Sequence, residues 1–176
     1  MVWFWRLVLK MIGWITLGTL PENEPKFIII VAPHTSNWDF IMGVIIRNAM
    51  NFKAGFLGKK SLFRKPHGFI FRWLGGIPVD RGSSQNLVDQ VVAEINKRTS
   101  FILAITPEGT RGKVDKWKTG FYYIALKANI PIVLCQMDYE HKEARFLAPF
   151  YATGNAQRDI KYLQAQFQDV KGLNDL

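Results

Sequence analysis

The chain has 176 residues, 48% of them hydrophobic, with 23 Lys and Arg against 14 Asp and Glu and a formal charge of +9. That length suits one domain with a sizeable core, and the apolar content excludes a disordered polymer. A single cysteine, Cys135, excludes a disulfide framework and suits a reducing compartment.

The charge is uneven. Residues 1–81 carry 11 Lys and Arg against 4 acids, whereas residues 82–176 carry 12 against 10. Thirteen of the 24 aromatic residues also lie in residues 1–81. Tryptophan beside lysine and arginine is the composition of a membrane interface. No helix-turn-helix, zinc-finger or RNP pattern supports a nucleic-acid partner.

The opening segment, residues 1–20, is predicted as an amphipathic interface helix. Arg6 and Lys10 share one flank, and Trp3, Leu7, Met11, Trp14 and Ile15 populate the rest. Its longest uncharged run, Met11 to Pro21, is far short of the roughly 20 apolar residues that span a bilayer. The segment also lacks the small-residue cleavage pattern of a secretory signal. Peripheral attachment to the cytoplasmic face of an anionic membrane is the expectation, with Trp3, Trp5 and Trp14 at headgroup depth.

Residues 27–32 read as a buried strand stopped by Pro33, and a helix is predicted over 38–50. Between them lie His34 and Asp39. A histidine at the carboxyl end of a buried strand stands where an open α/β sheet places reacting groups. With His34 in the turn and Asp39 in the first helical turn, the carboxylate can fix one ring nitrogen and leave the other as a general base. Ser36 and Asp39 also fit a helix capping box, the structural alternative.

A strand is predicted at 53–58, a helix at 61–74, and a short strand at 76–80 followed by Arg81. The clearest helix is predicted at 84–98, capped by Ser83 or Ser84, with Leu87, Val91, Val92 and Ile95 in one stripe. A strand at 100–106 then ends in Thr106-Pro107-Glu108-Gly109-Thr110-Arg111. Gly109 permits a tight turn, from which Glu108, Thr110 and Arg111 can project into a cleft. The forked guanidinium groups of Arg81 and Arg111 suit a phosphate. A helix at 118–129, a strand at 131–137, an edge strand at 144–150 and a polar helix at 155–169 complete the pattern. The alternation predicts a single-domain α/β sandwich with a largely parallel central sheet flanked by helices.

Cys135 sits in an apolar run with no activating base nearby and is expected to be inert. His34, His67 and His141 are scattered without metal-ligand spacing, so no metal is expected. No nucleophile elbow or phosphate-binding Gly-rich loop appears.

These motifs together resemble the glycerolipid acyltransferase family, the group that includes 1-acylglycerol-3-phosphate acyltransferases. His34 and Asp39 match its His-x4-Asp motif, and Thr106 to Arg111 matches its Phe-Pro-Glu-Gly-Thr-Arg block, with Thr106 in place of Phe. Lys59, Leu62, Gly68 and Arg81 follow the order of its phosphate-binding block. Ile130 to Cys135 resembles its Val-Pro-Ile-x-Pro-Val block, lacking the second proline. The resemblance covers residues 27 to 137 and implies an acyltransferase domain over 21–176. It implies transfer of a fatty acyl group from a thioester to the free hydroxyl of a lysophospholipid phosphate, in phospholipid biosynthesis. The thioester, carried by coenzyme A or acyl carrier protein, is a co-substrate, and no cofactor is expected to stay bound. His34 would act as base and Asp39 would support it, without an acyl-enzyme. Lys59, Arg81 and Arg111 would hold the acceptor phosphate, and Glu108 would steady Arg111 or the acceptor's hydroxyls. The oxyanion would take backbone N–H groups from the 34–39 or the 108–111 turn. The competing readings are a non-catalytic lipid-binding protein on this scaffold, and an esterase or thioesterase in which His34 activates water.

Overall fold

The computed structural model describes residues 1–80, 84–112, 114 and 116–176, apart from the side chains of residues 84–86. The chain begins with α1 (Val2–Met11), β1 (Ile15–Leu17), β2 (Lys26–Ala32), α2 (Trp38–Ala49) and β3 (Ala54–Lys59). A 3-10 turn (Lys60–Phe63), α3 (Gly68–Trp73), β4 (Gly76–Val79), α4 (Ser84–Asn96) and β5 (Phe101–Ile105) follow. Next come α5 (Gly120–Ala128), β6 (Ile132–Asp138), β7 (Glu143–Phe146), α6 (Ala156–Ala165) and a 3-10 turn at Leu173–Asp175. The described strands form one sheet in the order β1-β7-β6-β2-β5-β3-β4. Pairing is parallel except between β6 and β7. The expected single-domain α/β architecture is therefore the observed one.

The central strand β2 is apolar on both sides because both sides are covered, as parallel sheets require. Ile28 and Ile30 alternate toward a core built with Val91 and Ile95 of α4, Phe121 and Tyr122 of α5, and Leu163 of α6. Phe27 and Ile29 point the other way, onto Leu9 of α1, Trp14, and Met42 and Ile46 of α2. Pro78 is tolerated because β4 is an edge strand. The helix expected at 61–74 is instead a 3-10 turn and the short α3, divided around Pro66. Proline disfavours helix in the residue before it, which accounts for the break. Phe63 packs where a Cβ on Gly58 would lie, 2.8 Å from its ring. The ring of Phe56, two residues earlier on β3, meets Phe40 of α2. Strand alternation therefore sets the Phe63 turn and α2 on one face of the sheet.

The opening segment differs from expectation. Its helix stops at Met11, and Ile15–Leu17 is a strand paired in parallel with β7. Trp14 is buried, with its ring edge-on to Tyr139 at 4.9 Å. Sheet pairing and core burial outcompete the helical pattern there, so Trp14 is not a headgroup anchor.

The two faces differ in their outer surfaces. Large apolar side chains stand exposed on α1 (Trp3 75%, Met11 77%), on α2 (Trp38, Ile41) and on α3 (Phe69 68%, Trp73 83%). The ion pairs between described surface residues lie instead on α4, on α5 and around the β6–β7 turn, as in Lys127–Asp89 and Lys171–Glu140. None of them involves a cation of residues 1–80.

Candidate active site

Parallel pairing brings the carboxyl ends of β2, β5, β3 and β4 to one edge of the sheet, where His34, Glu108 and Lys59 follow their strands. Nδ1 of His34 lies 2.9 Å from Oδ2 of Asp39. The same oxygen accepts the backbone N–H groups of Thr35 and Ser36, each at 2.9 Å. Asp39 thus closes the turn ahead of α2 and holds the imidazole at once, whereas the reciprocal half of a capping box is missing: the N-cap is Asn37, and the Ser36 hydroxyl accepts the Trp38 N–H.

Burial of Asp39, only 4% exposed, opposes its ionisation. The hydrogen bonds from His34, Ser36 and Tyr139 outweigh that cost and hold its carboxyl below the usual range. An ionised carboxylate only accepts, so Nδ1 carries the hydrogen and Nε2 of His34 presents a lone pair.

Two residues that the sequence did not point to complete this support. The Tyr139 hydroxyl donates to Oδ1 of Asp39 at 2.7 Å, from 100 residues along the chain. Burial, reinforced by Asp39, raises the Tyr139 pKa, so it remains a donor. Its position just beyond β6, which pairs with β2, was the available signal. Asn174, from the 3-10 turn near the carboxyl terminus, donates its Nδ2 to the Thr35 carbonyl at 2.5 Å and its N–H to the Thr35 hydroxyl.

Glu108 is directed elsewhere than expected. Both of its oxygens accept the N–H of His34, at 3.1 Å. It therefore steadies the base's backbone, and no hydrogen bond or ion pair joins it to Arg111 among the described residues. Burial pushes its carboxyl above the usual range. Gly109 is left-handed (φ 66°), and a Cβ there would lie 2.7 Å from the Lys118 side chain. Lys118 thus stands against the 108–111 turn, a cation the sequence reading passed over although it lies in the basic run after Arg111. Thr110, Arg111 and Lys59 are exposed. Arg81 and Ser83 lie outside the described residues, as does the Ser84 side chain.

In the turn at 34–39 the N–H groups of His34, Thr35, Ser36, Trp38 and Asp39 have acceptors within the protein, which leaves that of Asn37 as the turn's candidate oxyanion donor. Cys135 is buried, and burial pushes its thiol up to about 12, which suppresses the thiolate. Among the described residues no group of three His, Cys, Asp or Glu side chains could hold a metal.

A family model described as Acyltransferase matches residues 18–138, the span holding His34, Asp39, Lys59, Arg81 and the 106–111 turn. No curated protein matches the chain. Among solved structures, the fold is similar to that of the 1-acyl-sn-glycerophosphate (LPA) acyltransferase PlsC from Thermotoga maritima, with a TM-score of 0.61 at 16% identity. That likeness covers 97% of this chain and 79% of PlsC.

Proposed function

The chain belongs to the acyltransferase family, and on that premise we propose that it moves a fatty acyl group from a thioester to the hydroxyl of a lysophospholipid phosphate. The supporting observation is the His34–Asp39 pair, buried on the Asp39 side and open on the His34 side. Nε2 of His34 takes the proton of the acceptor hydroxyl as its oxygen attacks the thioester carbonyl. A tetrahedral oxyanion forms; its collapse breaks the C–S bond, and His34 returns the proton to the leaving sulfur. The acceptor supplies the nucleophile, so no acyl-enzyme forms.

Asp39 stabilises the imidazolium, and Glu108 fixes the backbone that carries it. The N–H groups of Asn37, in the 34–39 turn, and of Thr110 and Arg111 are the proposed oxyanion donors. Lys59, Arg81, Arg111 and Lys118 are the proposed cations for the acceptor phosphate. The donor thioester is carried by coenzyme A or acyl carrier protein.

Peripheral docking on an anionic bilayer accompanies this reading. No described helix is long and apolar enough to cross a membrane. The exposed apolar residues of α1, α2 and α3 share their side of the molecule with Lys10, Lys60, Arg64, Lys65 and Arg72, which have no acidic partner among the described residues. Such a face suits a lipid surface carrying negative charge.

The test is turnover by the purified chain with an acyl thioester and lysophosphatidate. Acylated product that requires both substrates supports the proposal. Free fatty acid released at the same rate without acceptor would indicate a hydrolase, and binding without turnover a lipid carrier.

A further inference from the structure

Away from the His34 turn, a cleft of about 430 Å³ opens between α1 and β1. Leu9, Trp14, Ile15 and Ala49 make its apolar walls, and Arg6 and Lys10 stand at its rim. Four residues apart, these two cations project from one flank of α1. The Arg6 Nε–H donates to the Ala49 carbonyl at 3.1 Å, which anchors the guanidinium. Its terminal nitrogens have no carboxylate partner among the described residues.

A third cation stands beside the cleft, outside its lining. The Lys142 Nζ lies 3.7 Å from where a Cβ on Gly13 would be, and Gly13 is itself part of the cleft lining. Lys142 is held there because its carbonyl accepts the Ile15 N–H at 3.0 Å. No acid lines the cleft, and neighbouring Glu143 is paired with Arg145 at 2.8 Å.

Two cations at an apolar floor, with a third beside them, suit a phosphate that carries hydrocarbon. Beside the cleft, Trp3, Phe4, Leu7 and Met11 form an exposed apolar ridge on α1, where acyl chains can lie. The volume suits a small headgroup.

We propose that this cleft binds the phosphate headgroup of an anionic bilayer lipid, separately from the acceptor at His34; the proposal rests on the bilayer-docking reading above. The cleft seats one lipid molecule and so fixes α1 at headgroup level.

The full chain is titrated with dibutanoyl phosphatidylglycerol, a phosphodiester that is neither acceptor nor product of the proposed transfer, kept monomeric, and with inorganic phosphate, using calorimetry and no turnover. One saturable equivalent of the phosphatidylglycerol is expected. Binding should weaken about tenfold or more in Lys10→Gln/Lys142→Asn, and partially in Lys10→Gln alone. Both lysines are exposed, and Asn tolerates the left-handed backbone at 142 (φ 54°). His34→Ala and Arg111→Ala should bind the probe as the unaltered chain does.

Several results would overturn the proposal: non-saturable binding, no change in the lysine variants, or loss of binding in His34→Ala or Arg111→Ala. Inorganic phosphate binding as tightly as the phosphatidylglycerol would also overturn it, by making the cleft a site for the free anion. Co-sedimentation with phosphatidylglycerol vesicles separates the two readings. If vesicles bind but the probe does not, the cleft inference falls alone. If the probe binds but vesicles do not, the docking reading falls and the cleft's role at a bilayer falls with it.

Discussion

Asp39 takes four hydrogen bonds on two oxygens, from His34, Thr35, Ser36 and Tyr139. His34→Ala should lower kcat by about 10²–10⁴-fold with little loss of stability, because a side chain in this turn adds little to the core. Near-normal turnover by that variant would falsify the base assignment. Asp39→Asn should lose activity and stability together, since an amide NH₂ would face N–H donors. The sign of its pH dependence follows from the depressed carboxyl. The ionised form contributes stability above the ordinary carboxylate range and loses it as pH falls through the folded pKa. The gap in Tm between the unaltered chain and Asp39→Asn should therefore narrow below about pH 4. Glu108, raised by burial, has the opposite sign, opposing the fold increasingly as pH rises through its folded pKa. Glu108→Ala should depress kcat more than the acceptor KM, since Glu108 touches the base's backbone; an effect confined to KM would place it on substrate instead. Tyr139→Phe keeps the ring against Trp14 and removes one donor from Asp39. It should lower Tm and kcat together, because Oδ1 of the buried Asp39 loses its donor; kcat equal to that of the unaltered chain would leave Tyr139 out of the support.

At the scale of elements, what could be read from the sequence followed locality. The Phe27–Ala32 run and the Leu87–Ile95 stripe announce their elements because burial on two sides, or on one stripe, leaves a periodic trace. The His34–Asp39 pair was legible for the same reason, being five residues apart. Tyr139 and Asn174 were not, because they reach the site from 100 and 139 residues away, where no period operates. The strand at Ile15–Leu17 was hidden likewise, since it exists through its pairing with β7. That strand also changes how α1 is to be tested. Deleting residues 1–20 removes Leu9 and Trp14 from the core, and burial of a large apolar side chain contributes roughly 1.5–3 kcal/mol. The deletion should lower Tm markedly and so confound a docking assay. Trp3→Ser/Leu7→Ser on α1 and Phe69→Ser/Trp73→Ser on α3 alter exposed positions only. Each pair should reduce co-sedimentation with anionic vesicles while Tm and turnover of a short-chain soluble acceptor persist. Unchanged co-sedimentation by both pairs would rule out this face as the contact.

At the scale of the whole molecule, one sheet serves two environments. Its α4–α5–α6 side covers its core and carries surface ion pairs, with Tyr123, Leu126 and Tyr162 as its exposed large apolar residues. Its α1–α2 side, with the Phe63 turn and α3, is equally well packed inward but keeps apolar side chains outside. The reacting edge lies where the two sides meet, at the carboxyl ends of β2 and β5. A lipid acceptor reaching His34 from a bilayer under α1–α3 would pass around that edge instead of through the core.

The separation of paired from unpaired charge gives the molecule an electrical polarity. In solution near an anionic surface, that polarity exerts a torque, so the apolar face turns toward the surface before contact. Capture and retention then depend on different forces. The arrival rate should fall steeply with added salt, which shortens the screening length to about 10 Å at 0.1 M. The departure rate, set by Trp3, Met11, Phe69 and Trp73, should change far less. Stopped-flow mixing with anionic vesicles at two ionic strengths resolves the two rates. A departure rate as salt-sensitive as the arrival rate would mean that charge alone holds the protein there.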